Sequence, residues 1–247
     1  MRYFIHLAYQ GAPFYGWQTQ PNNPTVQETI EQAISLLLKE KITITGCGRT
    51  DTGVNAKNYY AHFNTTLTLK TSQLEHLVLR LNSFLPAAIV IYRIFQVDEN
   101  THARFDAVAR TYRYYIALHK NPFNTFFTLR IFEKLDIDKM NSVAQLLLNN
   151  TDFTSFSKVN TQVNNFICHI SVAEWKWEND LLVFEITADR FLRNMVRAIV
   201  GTLLDVGKGK MEISEFQEII NQKNRSKAGT SVPAHALFLE QIKYPFL

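Results

Sequence analysis

Two kinds of hydrophobic pattern alternate through the first hundred residues, and that alternation restricts the folds open to the chain. The stretch TVQETIEQAISLLLKEK opens with a capping box, Thr25 to Glu28. It sets Val26, Ile30, Ala33, Ile34, Leu37 and Leu38 at helical spacing, which predicts a helix over about 25–40. TSQLEHLVLRLN repeats the device with Ser72 and Glu75 and turns Leu74, Leu77, Val78 and Leu81 one way. Strand-like runs occupy 3–9, 42–46, 58–67 and 89–97. Strand, helix, strand, strand, helix, strand is the order of a split βαβ arrangement, an α+β fold with helices on one face of a largely antiparallel sheet.

A second set of elements follows. Residues 110–118 alternate, with Tyr112, Tyr114, Ile116 and Leu118 on one face and Thr111, Arg113, Tyr115 and Ala117 on the other. Helical patterns at about 136–149, 189–206 and 214–222 are interspersed with strands near 168–177, 181–188 and 237–243. CHISVAEWKW and LLVFEITA, joined by END, read as a hairpin. With no low-complexity linker, a soft boundary near residue 105 divides the chain into an N-terminal α+β half, 1–105, and a C-terminal one, 106–247. The expectation is two related halves that share one sheet and leave an active-site cleft between them.

The 247 residues, 46% hydrophobic, are enough for one large core or two small ones. No apolar run reaches membrane-spanning length, and MRYFIHLAYQ alternates like a strand and lacks the features of a signal peptide. Cys47 and Cys168 stand far apart and suggest neither a disulfide framework nor a thiolate site. A soluble, cytoplasmic protein is therefore expected. The seven histidines show no paired ligand spacing, so no metal is expected.

Chemistry concentrates in the run GCGRTDTGVNAKNYYAHF. Gly46, Gly48 and Gly53 relax the backbone, so Asp51 is expected in a tight, exposed loop. Asp-Thr-Gly is also the tripeptide of aspartic proteases, which need two carboxylates sharing a proton. With Arg49 two residues away, this acid suits a nucleophile or electrostatic stabiliser better. GKGK lacks P-loop spacing, and GCGRTD lacks the third glycine of a dinucleotide fingerprint. The formal charge of +4 is a mild basic bias. In DRFLRNMVRAIVGTLLDVGKGK, Arg190, Arg193 and Arg197 recur at i, i+3 and i+7, which would place three guanidinium groups on one side of a helix. Alone they read as a solvated face with arginines snorkelling over the core; beside exposed strand tyrosines they suit RNA stacking and phosphate contact.

GRTDTGVNA resembles the active-site motif of the tRNA pseudouridine synthase A family, with Asn55 where the family has a histidine. YQGAPFYGWQTQP, LNSFLP, HARFDAVARTYRYYI, DFTSF and FLRNMVRAIVGTLLDVG are similar to further family motifs, in the family's order, up to the terminal KYP. The resemblance covers nearly the whole chain. It implies the pseudouridine synthase fold and isomerisation of uridine to pseudouridine in the anticodon stem-loop of tRNA, at positions 38, 39 and 40. It further implies a homodimer that works without a cofactor. By the same resemblance Asp51 is the catalytic carboxylate, Tyr112 stacks on the target base, and Arg197 pairs with Asp51. Arg49 enters the stem-loop as the nucleotide leaves it, and Arg190 and Arg193 contact phosphates. Asn55 retains a hydrogen-bonding side chain for RNA contact but cannot titrate. VPAHALFL carries His235-Ala236 where an Ala-Gly-Leu-like stretch is usual. An RNA-binding module that has lost catalysis is the rival reading; intact Arg49, Asp51 and Tyr112 argue against it.

Overall fold

Alternation along the N-terminus builds β1 (Arg2–Tyr9), a strand paired antiparallel on both sides. The structure is a computed structural model that describes residues 1–159 and 165–247. It divides the chain into two units: Met1–Val108 together with Leu239–Leu247, and Ala109–Phe238. The fold is mixed α/β, with mainly antiparallel sheet and helices.

In the first unit Thr25 caps α1 (Val26–Leu38), its Oγ1 accepting from the Glu28 N–H at 3.4 Å. The chain then forms β2 (Ile44–Gly46), β3 (Asn55–Asn64), α2 (Thr71–Phe84) and β4 (Ile89–Val97). β1 lies between β3 and β4, and β2 pairs with β3. α2 departs from the expected cap at Ser72 and Glu75. Lys70 already sits at the helix entrance, and its N–H donates to the Gln73 side chain at 2.8 Å, so the helix starts earlier than that pair. The Phe4 side of β1 is covered by the returning C-terminus, where Tyr244 and Phe246 meet Phe4 edge-on. That return is anchored at three points. Lys57 pairs with Glu240 at 3.1 Å, Asn58 Nδ2 donates to the Glu240 carbonyl at 2.9 Å, and the Tyr244 hydroxyl donates to the Ala103 carbonyl at 2.5 Å.

The second unit begins with β5 (Ala109–Ala117), beside which β6 (Leu129–Arg130) runs parallel. After α3 (Ile137–Leu146) come β7 (Ile170–Glu178) and β8 (Leu181–Ala188), the expected hairpin, turning at Asn179 with φ +52°. β8 pairs antiparallel with both β5 and β7. Asn141 pins α3 to β7 by a two-way bond with the Trp175 backbone, at 3.0 and 2.7 Å. α4 (Met195–Gly207) and α5 (Ile213–Gln222) follow, and β9 (Leu237–Lys243) carries the chain back.

α4 is shorter than its apolar pattern predicts. Asn194 stands at its entrance with φ +66°, a left-handed conformation that a helix cannot pass through. Asp189 holds the approach to the start of β7 by accepting the His169 N–H at 2.8 Å, while the Arg193 carbonyl accepts from the Lys158 N–H at 3.0 Å. Arg190 and Arg193 therefore lie on the approach segment and only Arg197 lies on the helix, so the expected three-arginine helical stripe does not form. Among the described residues no helix is long and apolar enough to cross a membrane.

Candidate active site

The Asp51 loop leaves β2 at Gly46 and rejoins the sheet at β3, and most of its backbone has a partner. Cys47 N–H donates to the Tyr60 carbonyl at 2.9 Å, the Tyr59 hydroxyl donates to the Gly48 carbonyl, and Val54 N–H closes a turn on the Asp51 carbonyl at 3.1 Å. Tyr9 and Thr50 share a buried hydroxyl–hydroxyl bond of 2.8 Å. Asp51 is half-buried between exposed Thr52 and buried Thr50. Gly53 takes φ +80°, the left-handed value a turn at this point requires.

The segment 9–21 packs directly behind this loop. Gly16 sits at φ +88°, and a Cβ there would lie 2.5 Å from the Thr50 carbonyl; one at Gly11 would meet the Val54 carbonyl. These two glycines allow backbone to rest on backbone. Trp17, 2% exposed, stacks on Tyr59 with ring centroids 4.0 Å apart, and burial raises the Tyr59 phenol well above its ordinary pKa, keeping it neutral. The carbonyls of Gly16 and Trp17 accept from the first N–H groups of α1, on Val26 and Gln27, so the segment lies between a helix start and the loop.

Arg49 is exposed on the same loop, and a relay of amides reaches it. Its Nε donates to Gln18 Oε1 at 3.2 Å, and Gln18 Nε2 donates to Gln27 Oε1 at 2.9 Å. Gln27 Nε2 in turn donates to Glu31 Oε1 at 3.0 Å and to the Ile44 carbonyl at 3.1 Å. α1 thereby orients the arginine beside Asp51. Composition and periodicity gave no sign of this relay; its only signal was the run YGWQTQP.

Asn55, expected to contact RNA, has a bond within the protein. It is 3% exposed at the start of β3, and its Oδ1 accepts from the Gly11 N–H at 2.9 Å. Burial gives the side chain a task inside the protein, that of tying segment 9–21 to the loop.

In the second unit Tyr112 is half-buried on β5 and meets Phe191 edge-on at 5.1 Å, which places the approach segment to α4 beside its ring. Arg110 holds the same segment, donating to the Asp189 carbonyl at 2.6 Å. Arg190 donates to the Asn165 carbonyl at 3.3 Å, and Arg193 is exposed. Arg197, half-buried on α4, donates through Nε to the Val232 carbonyl at 2.7 Å, and the Val232 N–H returns a bond to the Arg197 carbonyl. Tyr114 is buried, with its hydroxyl donating to the Pro233 carbonyl at 3.0 Å. His235 reaches the Thr128 carbonyl at 3.1 Å. Among the described residues no cluster of His, Cys, Asp and Glu is arranged to hold a metal ion.

A family model described as tRNA pseudouridine synthase matches residues 143–245. A protein named tRNA pseudouridine synthase A from Bacteroides thetaiotaomicron is 50% identical over 247 residues, which span 99% of this chain and 91% of its own. The chain belongs to the tRNA pseudouridine synthase A family. Two more relatives of that name widen the comparison. The one from Porphyromonas gingivalis is 50% identical over 99% of this chain and 97% of its own, and the one from Bacillus pumilus is 39% identical over 96% and 97%. As a tRNA pseudouridine synthase A family member the protein is an isomerase. The Asp51 loop lies outside the stretch the family model matches, but relatives of the family match this chain over nearly its full length.

Proposed function

We propose that this protein isomerises uridine to pseudouridine in the anticodon stem-loop of tRNA, at positions 38, 39 and 40, with Asp51 as its carboxylate. The observation that carries the proposal is the Asp51 loop itself. The loop that presents this acid is held by glycine contacts, a buried hydroxyl pair and a stacked tryptophan–tyrosine pair. Such pre-organisation suits a group that must act at a defined point.

The reaction breaks the bond between uracil N1 and ribose C1′, joins C1′ to C5, and moves the C5 proton off the base while N1 gains one. The changes at C1′ and C5 cancel, so the isomerisation is redox-neutral overall and calls for no external oxidant or reductant. Asp51 acts on the sugar or the base. Tyr112 stacks on the target uracil, with its hydroxyl a candidate acceptor for the C5 proton, and Arg197 pairs with and orients Asp51. Arg49, aligned by Gln18, occupies the space the flipped nucleotide leaves, and Arg190 and Arg193 meet phosphates. Asn55 acts through the loop it holds.

Several features support the architecture this requires. In the first unit β1 and β2, joined through α1, enclose β3 between them, and β3 and β4, joined through α2, enclose β1. Those pairings support the reading of both as split βαβ units. Apart from the short β6, the order strand, helix, strand, strand, helix recurs in β5, α3, β7, β8 and α4, which supports two related halves, 1–105 and 106–247. We propose in addition that the protein works in the cytoplasm as a homodimer.

The test is release of tritium from C5-labelled uridine in tRNA, followed by mapping of the modified positions. Wild-type protein should release label from the anticodon arm. Asp51→Asn should bind tRNA and melt as wild type does while losing at least a thousandfold in rate. Retention of a tenth of the rate would remove Asp51 from the chemistry. Binding without release by the wild type would favour the non-catalytic module.

A further inference from the structure

The loop between β4 and β5 ends in a tip, His102–Asp106, that none of the roles above uses. Phe105 at this tip is 73% exposed. A lone exposed phenylalanine is ordinary, but the backbone beneath this one is not left to solvent. Three successive N–H groups donate to imidazole nitrogens: Ala103 to His62 Nδ1 at 3.1 Å, and Arg104 and Phe105 to His102 Nδ1 at 3.0 and 3.3 Å. The His102 N–H donates to Asp106 Oδ2 at 2.8 Å, and the Asp106 N–H returns to the His102 carbonyl at 3.1 Å. The His102 ring backs Phe105 at 4.3 Å, and the Arg104 guanidinium stands 5.5 Å from the same phenylalanine ring.

We propose that Arg104 and Phe105 form a second RNA contact, a stacking face for a base with a cation beside it, separate from the place where the target uridine reacts. The inference rests on the tRNA reading above. An aromatic face and an arginine are what single-stranded or looped RNA meets in proteins that hold it, the ring taking a base and the guanidinium a phosphate. A rigid tip loses little entropy when a base settles on it.

Its place on the first unit sets which part of the RNA it meets. Ala103 is bonded to His62, whose strand partner is Phe4; Thr50 of the catalytic loop is bonded to Tyr9, five residues further along β1. At the rise of a β-strand that separation is roughly 17 Å. The tip therefore engages nucleotides beyond the immediate surroundings of the target.

The experiment compares wild type, Phe105→Ala and Phe105→Tyr on an unmodified full-length tRNA transcript and on a short hairpin carrying only the target uridine, its loop and a few flanking base pairs. Phe105→Ala should weaken full-length tRNA binding about tenfold, with kcat at saturation and hairpin affinity unchanged; Phe105→Tyr, which keeps the ring, should restore binding. Unchanged affinity of Phe105→Ala for full-length tRNA overturns the proposal, as does an equal loss on both RNAs. An altered elution volume with unchanged tRNA affinity would assign the tip to a protein contact instead and likewise overturn it. If wild type binds tRNA but forms no pseudouridine, the catalytic reading fails while the affinity comparison still decides the tip.

Discussion

Gly16 and Tyr112 separate the support of the Asp51 loop from the chemistry proposed for the site. Alanine at Gly16 would have to adopt φ +88° and place its Cβ 2.5 Å from the Thr50 carbonyl. The conformation alone costs about 1–2 kcal/mol, and the displaced Thr50 loosens its bond to Tyr9. Gly16→Ala should lower both Tm and kcat, measured by thermal melting and steady-state turnover. If its hydroxyl accepts the C5 proton as proposed, Tyr112→Phe should keep Tm and tRNA affinity and lose about a hundredfold or more in turnover, because the ring stays and the hydroxyl goes. A lower Tm with unchanged turnover would make Tyr112 a packing residue. At this scale the sequence was most legible where glycine frames a turn, as in the loop of Asp51, which closes through Gly53 at φ +80°. It was least legible where a polar side chain serves its neighbours. Nothing local to Asn55 distinguishes an amide that faces RNA from one that accepts the Gly11 N–H, and the relay through Gln18 and Gln27 links residues that only folding brings together.

Among the elements, α4 separates a periodic pattern from a realised helix. The apolar residues from Phe191 onward repeat as a helix requires, but left-handed Asn194 starts the helix late and leaves Arg190 and Arg193 on an approach segment braced by Arg110 and Phe191. The phosphate contact proposed for them does not require that helix, because it depends on charge and reach rather than on helical phase. Removing Arg190 or Arg193 should each reduce the slope of log affinity against log salt by about one unit; unchanged slopes in titrations from low to high salt would leave both as surface charges. Some strands were read to the residue, whereas that expected at 58–67 runs Asn55–Asn64. The pattern at 89–97 coincides with β4 and that at 237–243 with β9, since alternation ceases where burial ceases. The start of α2 escaped because Gln73, acting on the Lys70 N–H, does what Ser72 and Glu75 were expected to do.

For the molecule as a whole, acid should be destabilising in a defined window. Burial pushes His62 from 6.5 down to about 4, with the Arg2 guanidinium adding to the effect, and burial also lowers His102. Both rings accept backbone N–H bonds at Nδ1, which a protonated imidazole cannot do. The folded state thus binds fewer protons than the unfolded chain between about pH 4 and 6.5, so stability is complete above that window and falls as pH drops through it. Going from pH 7 to 5 should lower Tm by a few degrees, and His62→Gln should reduce that dependence; a Tm indifferent to pH across the window would mean that His62 titrates normally. The division into two units carries one more consequence, for the order of events during synthesis. Leu239–Leu247 belong to the first unit, where Tyr244 holds Ala103 and Glu240 holds Lys57 and Asn58. On the ribosome the N-terminal sheet must wait, without Tyr244 and Phe246 over Phe4, until Leu239–Leu247 have left the exit tunnel. A nascent chain stalled before residue 239 should therefore be open to proteases and chaperones in the half that was made first.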